Sequence, residues 1–225
     1  MDISRPLQAV PLSGESSRER ILRVATELFG AHGFDAVTTR SIAAAAGLNI
    51  ATVAHHTGSK AELYEAVFAR LHAHETAMLE ELLAGVTPLD VADPVRVRVV
   101  LGGLVDAYVD VLAAEPAIAG LWSRRWLERP AAGDSQQGRD AGLEDRFARP
   151  LFDRVESLLR AAQAAGSVPA LDVHLAVKSV VWITYGYFTG GLVEAAATRY
   201  VSDAVQVERL RAFVHRVVDG LLGPA

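Results

Sequence analysis

Apolar positions in this chain recur mostly at three- and four-residue spacings, the period of one helical face, and polar or glycine signals repeatedly interrupt them. Ser16 followed by Glu19 is an S-x-x-E capping box, which opens a helix. Within it Ile21, Ala25, Leu28 and Phe29 form one apolar stripe among Arg18, Arg20, Arg23 and Glu27, and Gly33 ends it. Thr38 and Thr39 offer the N-cap of a second helix, "RSIAAAA", closed by Gly47. Asn49 caps a third, about two turns long from Ile50 to His56, and Ser59 with Glu62 opens a long fourth helix through Leu82. A short helix ending in glycine, a three-residue turn and a second short helix make the helix-turn-helix pattern, whose second helix can enter a DNA major groove. Two such short helices bury too little alone, so Ile21, Leu28, Phe29, Ile42 and Val53 must share a small core. Ile42, Ala46 and Val53 are then expected to face inward, and Arg40, Thr52, Ala54 and His55 outward.

Downstream, "VTPLDVADPV" leads to a helix opened by Asp93 and Pro94, with apolar Val97, Leu101, Leu104, Tyr108 and Val111. Pro116 opens another, with Ile118, Trp122 and Trp126 one turn apart. The polar, glycine-bearing "AAGDSQQGRDAG" after Pro130 reads as a mobile loop. Leu151, Val155, Leu158 and Leu159 mark a helix ending at Gly166, and "SVPA" turns the chain into a last pair of helices. From Asp172 to Ala197 the chain is apolar nearly all round, with Trp182, Gly186, Gly190 and Val193 on one stripe and Val180, Thr184, Tyr187 and Gly191 on another. A helix of that kind needs neighbours on every side, and a second copy of the chain is the simplest source of one. Val207, Leu210, Val214, Val217 and Leu221 of the final helix suit the second member of a four-helix bundle across a twofold axis. A monomer whose own helices cover both faces is the alternative.

Composition narrows the class. Of 225 residues 51% are hydrophobic and only 7% aromatic, with Ala, Val and Leu prominent, which favours an all-α protein over a strand-rich one. The absence of cysteine removes disulfides and thiolate metal sites and fits a reducing cytoplasm. No signal peptide is read at the N-terminus, and the longest uncharged run, between Lys178 and Glu194, is shorter than the roughly 20 residues of a spanning helix. The formal net charge of −5 conceals an asymmetry: six Lys and Arg meet five Asp and Glu through Lys60, against 16 and 22 beyond it. A polyanion would meet the N-terminal quarter.

The block "RILRVATELFGAHGFDAVTTRSIAAAAGLNIATVAHHTGSKAELYEAVF" resembles the DNA-binding domain of the tetracycline-repressor (TetR) family of bacterial regulators, with "ELFGAHGFDAVTTRSIA", "AGLNIATV" and "HHTGSKAELY" as anchors. The resemblance implies an all-α homodimer. Residues 1–14 would be a flexible arm, 15–60 a three-helix reading head, and 61–225 a larger helical domain for ligand binding and dimerisation. The chain departs from the family at Ala54, where an aromatic is usual, at Thr57, where an apolar aromatic is usual, and at His55, where an aromatic or polar residue is frequent. Loss of a ring at position 54 removes a base or sugar contact, and Thr57 is expected to loosen the reading helix.

Carried over by position, Thr39, Thr52, His56 and Lys60 are the phosphate-side candidates, aided by amides at the helix start after Ser59. Arg40 is the leading base reader, its planar fork matching two guanine acceptors; Asn49, Ile50, Ala51 and His55 are further readers. Each has a plainer role open to it: Asn49 as an N-cap only, Thr52 in packing or capping, Arg40 as a solvated charge. His55 and His56 point about 100° apart on a helix and are not read as a metal site. Trp122, Trp126, Phe147, Phe152, Trp182 and Tyr185 are the candidate lining of an effector pocket, and Trp182, Gly186, Gly190, Val193, Leu210, Val214, Val217 and Leu221 the candidate dimer interface. Arg124, Arg125 and Arg129 either meet an anionic ligand group or are solvated. No catalytic motif and no cofactor site is read. The expected function is a homodimeric repressor released from operator DNA by a small-molecule effector; the alternative is a ligand-binding module of the same fold that has lost DNA reading.

Overall fold

The computed structural model describes residues 14–127, 142–190 and 203–223. The expected N-terminal arm, the loop after Pro130, and Arg129, Gly191 and Val193 therefore lie outside the described residues. Within them the chain forms ten α-helices and no strand: α1 Ser17–Ala36, α2 Thr39–Ala46, α3 Ile50–Thr57, α4 Lys60–Leu83, α5 Pro88–Ala92, α6 Pro94–Ala114, α7 Ala117–Leu127, α8 Arg149–Ala165, α9 Val173–Gly190 and α10 Ala204–Leu222. A single π-helical turn, Glu144–Ala148, leads into α8.

Local capping sets the early boundaries. Ser16, Thr38 and Ser59 each close a capping box, with Glu19, Ser41 and Glu62 as the reciprocal partners. α1 breaks at Gly33, whose φ of 78° is a left-handed value that side chains avoid, and makes one further turn. Gly47, at φ 67°, ends α2 the same way, its N–H reaching Ala43 and Ala44 carbonyls. The proline-bearing connector "VTPLDVADPV" also holds a helix the periodicity left unseen: Thr87 and Asp90 cap the short α5, and Pro88 occupies its first turn.

The N-terminal helices do not keep a core of their own. α1 packs along α7 and α4 as well as α2 and α3, and Ile21, Phe29, Ile42 and Val53 join Phe68, Leu112, Ile118 and Trp122 in one buried cluster. Leu28, expected in the core, is only partly buried against it. A second, smaller cluster around Val97, Leu101, Leu159 and Val177 ties α6, α8 and α9 together. Among the described residues no helix is long and apolar enough to cross a membrane.

Candidate nucleic-acid interface and cavity

α3 buries one residue. Val53 is fully enclosed, whereas Ile50, Ala51, Ala54, His55 and His56 are exposed and Thr52 is half-buried. The helix is held by that single anchor and by its N-cap, and most of its remaining surface is presented outward. Asn49 is engaged as the cap: its Oδ1 accepts from the Thr52 amide at 2.7 Å and the Thr52 hydroxyl at 3.0 Å. At the other end the Thr57 hydroxyl donates to the Val53 carbonyl at 2.8 Å. His55 and His56 meet edge to face, ring centroids 5.3 Å apart.

Charge around this surface is thin. Arg23 is bound to Glu15 and Glu27, and Arg20 also lies against Glu15. Arg40 is exposed at the start of α2 and has no ion pair among the described residues. Thr39 beside it is half-buried. Lys60 reaches back instead of out: its Nζ lies 4.2 Å from the centroid of the Phe34 ring and 3.5 Å from the Asp35 carbonyl. At the start of α4 the Ser59 amide donates to the Glu62 carboxylate at 2.7 Å and the Glu62 amide to the Ser59 hydroxyl at 3.2 Å. The amides of Lys60 and Ala61, in the first turn, keep no intrahelical acceptor.

The C-terminal helices border an apolar cavity of about 170 Å³. Its walls come from α4, α6, α7, α8, α9 and α10, so nearly the whole C-terminal part of the fold encloses it. Trp122, Trp126, Phe152 and Tyr185 line it, and Tyr108 adds a fifth ring. Phe147 and Trp182 do not. Phe147 sits on the π-helical turn, its carbonyl 2.8 Å from His72 Nδ1 and its ring beside His72 and Arg146. Trp182 is turned about 100° from the cavity-lining Val181 and stays 45% exposed. Its ring touches Trp126.

Among the described residues, Glu75 is the one charged group in the cavity wall. It is buried, and within those residues it has no hydrogen bond or ion pair. Loss of hydration alone pushes its carboxyl from 4.5 up to about 7. Tyr108 and Tyr185 stack with centroids 5.9 Å apart. Burial raises both phenols above their usual range. Glu75 was not among the residues singled out from the sequence, although a signal was present. Leu63, Val67, Leu71, Glu75 and Leu79 are spaced by four, an apolar stripe interrupted by one carboxylate, and all five are buried.

Arg124 is exposed, as a solvated helix face would have it, and it also binds backbone. Its Nε donates to the Gly30 carbonyl at 2.9 Å and its guanidinium also reaches the Ala31 carbonyl. Those carbonyls belong to the last turn before the Gly33 break, where intrahelical donors run out.

The candidate dimer residues divide. Trp182, Gly186 and Gly190 form an exposed strip on α9, and a side chain built at either glycine would meet nothing within 4 Å. Leu210 and Val214 are instead buried in the protomer's own core, Val214 completely, because that side of α10 packs against α6. Val214 has no surface left for a partner, and Leu210 keeps little. Val217 is half-buried, and Leu221 borders the cavity.

Residues 21–67 match the family model described as bacterial regulatory proteins, tetR family. Over 56 residues the chain is 43% identical to the HTH-type transcriptional dual regulator CecR of Shigella flexneri; the match spans a quarter of this chain and a quarter of that relative's length. The fold resembles the ketosteroid transcriptional regulator KstR2 of Mycobacterium tuberculosis, with a TM-score of 0.69 and 19% identity over 98% of this chain and 100% of that one. It also resembles a putative transcriptional regulator of Saccharomonospora viridis solved in complex with choline, with a TM-score of 0.64 and 18% identity over 90% and 95% of the two chains. At such identities the structural likenesses establish the fold.

Proposed function

From the match of residues 21–67 to the family model of bacterial regulatory proteins, tetR family, we propose that this chain is a homodimeric, DNA-binding repressor that a small molecule releases from its operator. One observation carries the DNA-reading part: α3 buries only Val53 and presents Ile50, Ala51, His55 and His56 to solvent. Arg40 supplies base recognition, and Thr39, Thr52, His56 and the free first-turn amides of α4 meet phosphates. Asn49 acts first as a cap. Lys60 must leave Phe34 and Asp35 to reach a phosphate, a short movement for a flexible side chain.

The cavity is the effector site. Its walls reach the reading head by two routes: α7, which carries Trp122 and Trp126, crosses α1, and α4, which carries Glu75, begins directly after α3. A ligand that favours one setting of these helices shifts the separation of two heads that must span about 34–36 Å of DNA. The related fold from Saccharomonospora viridis was solved with choline, which supports a small-molecule ligand for this chain. The exposed Trp182, Gly186 and Gly190 of α9 are the proposed centre of the dimer contact. A cytoplasmic, non-enzymatic protein fits this role.

A second reading, a ligand-binding module without DNA reading, draws on Ala54 in place of a ring and on the inward-bound Lys60. A gel shift with the upstream region of its own gene separates the two. Specific binding that weakens steeply with salt supports the repressor; no specific binding even at low salt supports the module.

A further inference from the structure

A carboxylate in an apolar wall is costly unless a cation answers it, and here the described residues supply none. No Lys, Arg or His among them lines the cavity, and Glu75 is unpaired within them. The titratable groups beside it are the Tyr108 and Tyr185 phenols, the first partly buried and the second buried, and loss of hydration raises both above their usual range. An uncompensated buried charge is strongly disfavoured. The same cavity is walled by the rings of Tyr108, Trp122, Trp126, Phe152 and Tyr185, whose electron-rich faces attract positive charge. Two of them already do so: Lys178, which is not a lining residue, has its Nζ 3.6 Å from the Phe152 centroid and 5.5 Å from that of Trp126. Among the described residues no ion pair or hydrogen bond joins Lys178 to Glu75, and burial holds the Lys178 amine below its ordinary value.

We infer that the cavity takes a small organic cation, an apolar body of about one ring whose protonated amine or other compact positive group docks against Glu75 within the aromatic wall. The inference rests on reading this cavity as the effector site and adds the charge of the effector. The volume of about 170 Å³ suits such a molecule, since an apolar cavity of about 150 Å³ admits benzene. Anionic ligands are disfavoured, because their charge would meet Glu75 with no basic residue to offset it.

The test uses the full-length protein and three probes of similar size: 2-phenylethylamine, propylbenzene and phenylacetate. Binding is followed by tryptophan fluorescence, as Trp122 and Trp126 lie in the wall, and by calorimetry. The expected order is amine tighter than propylbenzene by at least about tenfold, with phenylacetate weakest. Glu75→Gln is expected to erase the amine's advantage while leaving propylbenzene within about twofold. Calorimetry on the unaltered protein near pH 7 in buffers of different ionisation enthalpy gives a check that needs no variant: the amine should release protons from Glu75, and propylbenzene none. Equal affinity of amine and propylbenzene, or an amine preference that survives Glu75→Gln, overturns the cation inference and leaves the cavity a ligand site. Failure of all three probes to bind overturns the effector-site reading together with it.

Discussion

Gly30 of α1 and Gly120 of α7 meet backbone to backbone. A β-carbon built on Gly30 would stand 2.5 Å from the Ala117 carbonyl oxygen, and one on Gly120 would stand 2.8 Å from the Gly30 carbonyl oxygen. The contact is closed further by Arg124, which binds the Gly30 carbonyl from one turn beyond Gly120. This crossing joins the helix that carries Trp122 and Trp126 in the cavity to the first of the N-terminal helices.

Gly30→Ala and Gly120→Ala should therefore both destabilise the protein, since rigid backbone must move to admit each methyl. Overpacking of this kind costs roughly 1–3 kcal/mol. Thermal unfolding should fall by about 2–4 °C for each kcal/mol in a chain of this size. A Tm unchanged in either variant would mean that the crossing is looser than its geometry.

Arg40→Ala should leave thermal stability unchanged, because the side chain is exposed and without an ion pair among the described residues. Operator affinity should fall by about 1–3 kcal/mol, with reduced discrimination between operator and mutated sites. Titrations on both sequences measure this. Equal losses on both would make Arg40 a phosphate contact.

Asn49 can be tested for its two roles separately. Asn49→Ala removes the acceptor that the Thr52 amide uses and should cost about 0.5–2 kcal/mol of stability. Asn49→Ser retains a capping oxygen and should restore most of it. DNA affinity that recovers with Ser is explained by capping, whereas affinity that stays low with Ser shows that the Asn49 amide itself reads a base.

Stability should depend on pH through Glu75. Burial raises its carboxyl in the folded protein from 4.5 to about 7, so between those values the folded chain holds the proton that the unfolded chain gives up. Stability contributed by this group is thus full below about pH 4.5 and declines as pH rises towards 7, by roughly 3 kcal/mol at most. Glu75→Gln removes that dependence. The variant should melt close to the unaltered protein at pH 5 and above it at pH 8, and calorimetric scans at the two values check the sign.

Trp182→Glu should convert a dimer to monomers in sedimentation experiments while leaving helical content unchanged, because Trp182 is 45% exposed on its own protomer. A dimer that survives places the contact elsewhere on α9 and α10.

What the sequence determined by itself was local. Ser16 with Glu19, Thr38, Asn49 and Ser59 with Glu62 set the boundaries of the first four helices, because a cap acts within a few residues of itself. The inward position of Ile42 and Val53 followed from helical period in the same way. Tertiary structure decided what period cannot encode, namely which neighbour covers which face. Val214 and Trp182 both read as apolar positions on late helices, yet α6 covers the first and leaves the second in solvent. Glu75 interrupts an apolar stripe in the sequence, but only the convergence of six helices strips it of water and leaves it unanswered among the described residues. Gly30 and Gly120 are far apart in the chain, and they meet only once α7 folds back across α1. Short-range hydrogen bonds and spacing are written along the chain, whereas burial, charge compensation and helix crossings are properties of the assembled core.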